Sequence, residues 1–193
     1  MKRILILPVL VWLSPLAFAS SYTIDFEGIS AYTSITNQYS ADDVSFTNAM
    51  ELDATAPGYD LTDYPPHSDS GLITNDDGYI DGVDVSIELA FTGPVYSVSG
   101  WYSAPDGAVI TAYDASDTLL STVPLGDTID SNAEFTIASS TPIATVEISA
   151  NDGADYETVD DISYTVTPEP DSLILLGTGL LGLVGIVRRK LNR

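Results

Sequence analysis

The chain has 193 residues, no cysteine, one histidine and a formal net charge of −22, from 28 acidic and six basic side chains. That length gives one domain of moderate size. The charge excludes a nucleic-acid groove, which needs clustered Lys and Arg to replace counterions. The lack of cysteine excludes a disulfide scaffold, a thiolate nucleophile and a cysteine-ligated zinc. With 45% hydrophobic residues and eleven tyrosines the chain is too apolar to be disordered. Its bases sit only at the ends, so Ile4 to Val187 contains no Lys or Arg.

The first element is an address. Lys2 and Arg3 precede an apolar run from Ile4 to Leu13, and Ala17-Phe18-Ala19 supplies small residues for signal-peptidase cleavage. Residues 1–19 read as a signal peptide, with a mature start at Ser20. Pro8 and Pro15 argue against a buried helix there.

Residues 20–167 read as one all-β domain. Alternation of period two marks half-buried antiparallel strands at Val85–Phe91, Ala144–Ala150 and Ile162–Val166. Further strands are expected at Tyr22–Phe26, Val44–Asn48, Tyr96–Tyr102, Ala108–Asp114, Thr118–Val123 and Glu134–Ile137. Turn signals separate them, among them Gly93-Pro94, Pro105-Asp106-Gly107 and Asp152-Gly153. Eight or more short strands mean an antiparallel β-sandwich, jelly-roll-like. Leu52 to Val83 is read as one long loop, rich in Pro, Gly, Asp and Tyr, and loops of that length are often functional.

The tail (168–193) runs Pro168-Glu169-Pro170, an apolar stretch from Leu173 to Val187, then a basic cluster opening with Arg188 and Arg189. Fifteen apolar residues make a helix of roughly 22 Å, short of the ~30 Å hydrocarbon core. It reads as a short transmembrane helix with the C-terminus held in the cytoplasm by the bases. A Pro-Glu-Pro triplet, a short Gly/Leu-rich helix and a terminal Arg cluster, in that order behind a signal peptide, closely resemble the PEP-CTERM sorting signal. The resemblance implies recognition by an exosortase, cutting near the triplet, and passage from a transient inner-membrane anchor to the outer surface or matrix of a Gram-negative bacterium.

A second resemblance is looser. Ile24-Asp25-Phe26-Glu27-Gly28 at the start, Val109 to Ser116 running into Leu119-Leu120, and Val159-Asp160-Asp161-Ile162-Ser163-Tyr164 at the end resemble extracellular domains joined to this signal, and jelly-roll carbohydrate-binding modules. Asp117 stands where a glycine is common in that hairpin.

Candidate chemistry follows from the acids and the aromatics. His67, the lone imidazole, lies in a Pro-rich loop, and no catalytic signature accompanies it. No enzyme is expected and no catalytic residue is assigned. A structural calcium would need six to eight oxygens. Alternation places Asp25 and Glu27 opposite the apolar face of the first strand, and puts Asp160 in phase with inward Ile162. Binding modules of the resembled kind often hold calcium between first and last strands, which implies Glu27 and Asp160 or Asp161 as ligands. The other reading makes Asp160 a cap for backbone N–H groups. A second acidic run, Asn75 to Asp84, looks like a calcium loop but lacks EF-hand spacing. For sugars, Trp101 is placed on the outer face by alternation, and Tyr59, Tyr64 and Tyr79 could join it. In the other reading a loop covers Trp101 and the tyrosines pack.

The expectation is an exported β-sandwich, structural or adhesive in an exopolysaccharide or biofilm matrix. One alternative is a lectin-like carbohydrate-binding module, another a secreted glycoside hydrolase. Signal peptidase and exosortase are the expected processing partners, extracellular polysaccharide the expected ligand class.

Overall fold

The computed structural model describes residues 19–75, 85–151 and 157–167, with three helical tail positions, Gly177, Gly179 and Arg188. The signal peptide, the Pro-Glu-Pro triplet, Arg189, Tyr79 and the acidic run after Asn75 lie outside the described residues. Among the described residues no helix is long and apolar enough to cross a membrane.

Ten strands run in chain order: β1 (Ser20–Ile24), β2 (Ser34–Ile35), β3 (Val44–Thr47), β4 (Ala49–Asp53), β5 (Gly71–Asn75), β6 (Ile87–Ser103), β7 (Ala108–Tyr113), β8 (Leu119–Leu125), β9 (Ala133–Ala150) and β10 (Thr158–Val166). Among the described residues a 3-10 turn, Ser40–Asp42, precedes β3. Every pairing is antiparallel, in the order β2-β4-β5-β10-β6-β9-β7-β8, with β1 also on β10 and β3 also on β6.

The sandwich is made by two long strands that serve both sheets. The first part of β6 pairs with β3 and with the end of β9, as in Leu89 opposite Phe46 and Val146. Its second part pairs with β10 and with the start of β9, as in Val98 opposite Tyr164 and Ile137. Register shifts between Ala90, Val95 and Ser97 carry the chain from one sheet to the other. The core fills the space between, with Leu89, Ile110 and Ile148 from one side meeting Phe26, Ile137 and Ile162 from the other.

Here the strand forecast needs three corrections. Gly93-Pro94 is no turn, because β6 runs straight through it and joins the two strands forecast on either side. Pro94 falls within the shifted stretch of ladder, where a missing N–H costs least. Likewise Glu134–Ile137 and Ala144–Ala150 are one strand, β9. The long loop also contains structure, the end of β4 and all of β5. Every residue of β5 is buried, so no alternation marks it. The hairpin turn after β7 resolves the Asp117 anomaly. Asp117 takes the left-handed backbone itself, at φ 58°, which Asp tolerates better than most residues, while Asp114 Oδ1 accepts the N–H groups of Ser116 and Thr118.

Candidate functional site

The segment Tyr64–Ser70 folds back across the outer side of β6 and β10, and polar contacts from several elements pin it. Ser103 Oγ donates to the Pro65 carbonyl at 3.0 Å, and Asn132 Nδ2 to the Pro66 carbonyl at 3.0 Å. Asp160 Oδ2 accepts the N–H groups of His67 and Ser68, both at 2.9 Å, and its Oδ1 accepts the N–H of Asp161 at 2.7 Å. Glu27 Oε1 accepts the N–H groups of Ser70 at 2.9 Å and Gly71 at 2.6 Å.

A bulge in β10 aims these acids. Asp161 sits at φ 49°, and the register slips by one between Asp160 and Ser163. Asp160 therefore pairs opposite Trp101 and shares its outer face, while Val159 and Ile162 both enter the core. This corrects the expectation that Asp160 is in phase with Ile162, since the extra residue resets the alternation between them. Asp160 is only 3% exposed. Burial pushes its carboxyl up to about 6, despite the three N–H groups that favour the anion.

Asp161 turns outward and holds the loop from the side. Its Oδ2 lies 2.5 Å from His67 Nδ1, and its Oδ1 accepts Ser68 Oγ at 3.0 Å. His67 in turn lies flat on half-buried Trp101. One face of the indole is thus taken by an imidazole.

Beyond Trp101 the outer face changes character. Thr23, Ser163, Ser99 and Thr136 are register partners across β1, β10, β6 and β9, which puts their side chains in one row. Thr23 Oγ1 and Ser163 Oγ, 2.8 Å apart, confirm the shared side. Ser97 and its partner Ala138 continue the patch toward Tyr96, which is 39% exposed. Strict alternation from Val98 would point Tyr96 inward. The shift between Val95 and Ser97 turns it out instead. Neighbouring strands are about 4.8 Å apart, and Ser97 to Trp101 spans about 13 Å along β6. The Ser/Thr row itself carries no carboxylate, although residues 20–167 carry 26 of the 28 acids, all but Glu169 and Asp171. At its Trp101 end stand Glu134 and Asp160, the register partners of Trp101 on β9 and β10.

The remaining candidates are placed plainly. Tyr64 is 7% exposed, and its carbonyl accepts the Tyr59 hydroxyl at 2.6 Å. Tyr59 packs on the small cluster of Met50, Leu52, Ala54 and Leu72. Both tyrosines are packing residues, which corrects their assignment to a sugar platform. Glu27, Asp160 and Asp161 serve the loop as acceptors. Among the described residues no group of three or more His, Asp and Glu side chains is placed to hold a metal. Two buried acids had no signal in the sequence, Glu51 on β4 and Glu157 just before β10; Asn75, at the end of β5 and the head of the acidic run, is buried as well. Burial, with the charges of Asp53 and Glu27, pushes the Glu51 carboxyl up to about 7.

Residues 166–190 match the PEP-CTERM protein-sorting motif. The chain carries a PEP-CTERM sorting motif. That motif implies export, membrane-anchored sorting and processing by an exosortase. No curated protein matches the chain in sequence. Among solved structures the chain is similar to the K2 cleaved adhesin domain of Lys-gingipain, at 12% identity and TM-score 0.52, over 76% of this chain and 100% of that one. It is also similar to TmCBM61 in complex with β-1,4-galactotriose, at 14% identity and TM-score 0.42, over 72% and 100%. A third is arabinose-bound MgGH51 α-L-arabinofuranosidase, at 12% identity and TM-score 0.44, over 75% of this chain but 25% of that one. These likenesses concern the β-sandwich fold.

Proposed function

We propose that this PEP-CTERM protein is a non-catalytic adhesive module, displayed at the cell surface or in the exopolysaccharide matrix, that holds neutral polysaccharide on the outer face of β1, β10, β6 and β9. The observation that carries this reading is the uncharged Ser/Thr row one step along β6 from Trp101. A glycan without charge is the ligand that a polyanion does not repel. Sugar hydroxyls exchange hydrogen bonds with a flat hydroxyl array, and apolar sugar faces pack on aromatic rings. The Lys-gingipain adhesin domain supports it at the level of fold only. His67 supports binding over catalysis, because its Nδ1 and its ring face are both occupied in fixing the loop.

The test is a pull-down with insoluble neutral β-glucan, alongside a soluble anionic polysaccharide as competitor. The wild-type chain is retained on the glucan. Ser99→Glu loses retention while keeping its melting temperature, and Trp101→Ala loses retention with only the small fall in melting temperature that follows from losing the His67 stack. Retention unchanged in both variants, or release by the anionic polymer, would overturn the reading.

A further inference from the structure

We propose that a calcium ion binds where β5 and β10 run side by side, between Asn75 and Glu157. Thr74 is the register partner of Thr158, so Asn75 and Glu157 are the next opposing pair. Thr74 Oγ1 ties the two segments by donating to the Glu157 carbonyl at 2.7 Å. Both side chains are fully buried, at 0% exposure. Asn75 Nδ2 reaches Glu157 Oε2 over a long 3.4 Å, and Asn75 Oδ1 is buried with no hydrogen-bond donor.

An amide oxygen without a donor beside a buried carboxylate is costly unless something positive is brought to it. The domain offers no such group of its own, since no Lys or Arg occurs between residues 4 and 187. The one imidazole is held at Asp161. Carboxylate and amide carbonyl are the oxygen donors that a hard divalent cation prefers, and the larger, more flexible shell of calcium accepts an irregular pair of protein donors more readily than magnesium, which demands near-ideal octahedral geometry. With no thiol in the chain and its one imidazole engaged, softer metals find no ligand. In the sequence Asn75 is followed directly by Asp76 and Asp77, and Asp155 lies two residues before Glu157. Negative charge is therefore dense along the chain on either side of the two donors.

The experiment is calcium titration calorimetry and thermal unfolding of the full chain at constant ionic strength, with magnesium in parallel. Calcium is expected to bind and to raise the melting temperature more than magnesium does. Glu157→Gln keeps the shape and removes the charge, so it weakens calcium binding by on the order of tenfold or more. Without calcium its melting temperature is unchanged or higher, because a buried charge has gone. Asn75→Asp does the opposite, lowering the calcium-free melting temperature and tightening calcium binding, and it keeps the test open should Glu157→Gln fail to fold. Equal responses to calcium and magnesium, or a wild-type calcium response in either variant, would overturn the site.

Discussion

The imidazole of His67 lies flat on the indole of Trp101, with ring centroids 3.8 Å apart and planes within 8° of parallel. A loop side chain thereby fixes the orientation of the one tryptophan in the folded domain. Removing it by His67→Ala takes away a stack worth about 1 kcal/mol and uncovers one face of the indole. Acrylamide quenching of Trp101 should rise, with emission shifted to the red, while His67→Phe keeps wild-type quenching. Identical quenching in wild type and His67→Ala would rule out the stack.

Asp160 accepts three backbone N–H groups, from His67, Ser68 and Asp161. Asp160→Ala removes this acceptor from part-buried donors. It should cost about 3 kcal/mol of unfolding free energy, by urea denaturation near pH 8. Limited proteolysis should then cut first within residues 64–70. A variant as stable and as resistant as wild type would show that the carboxylate does not clamp the loop.

Stability should fall with rising pH across the neutral range. A carboxyl whose folded value is raised binds its proton more tightly when folded. Its contribution is complete below the unfolded value and is lost as pH climbs through the folded one. For Glu51 that window runs from 4.5 to about 7, and for Asp160 from 3.8 to about 6. Burial is the leading cause in both. Glu51→Gln should flatten the slope, exceeding wild-type stability at pH 8 and matching it near pH 4. Parallel urea-midpoint curves for the two proteins across that range would refute the assignment.

Gly100 is a packing position. A Cβ there would stand 2.8 Å from Phe135 Cζ and 3.3 Å from the Asp160 carbonyl oxygen. Gly100→Ala should therefore destabilise by about 1–3 kcal/mol, as overpacking does. Pairing it with Phe135→Leu should recover part of the loss, and no recovery would mean that the ring is not what the methyl meets.

The sandwich was readable where strands have one wet face. Val85 to Phe91, Ala144 to Ala150 and Ile162 to Val166 alternate, and they were located from alternation alone. β5 was invisible because it is buried throughout, and β6 was split because Gly93-Pro94 signals a turn when only near neighbours are considered. At the site, the outer face of Trp101 followed from parity, since no bulge lies between Trp101 and Val98. Asp160 did not, because one left-handed residue, Asp161, changes the count between it and Ile162. Nothing in the local chain says that His67 reaches Asp161, a contact across 94 residues. The sorting tail needed no fold at all, being a linear signal.

The sorting motif begins at residue 166, and Val166 is the last residue of β10. That strand is gripped on both sides, by β1 through Ser20 to Ile24 and by β6 through Val95 to Ser103. Tension between a tethered tail and a load on the Trp101 face would run along β10 and strain both ladders lengthwise. Many hydrogen bonds then share the force together, instead of parting one by one as in a peeled hairpin. Under the proposed adhesive role, the last strand is the rope of this fold and its two neighbours are the clamp.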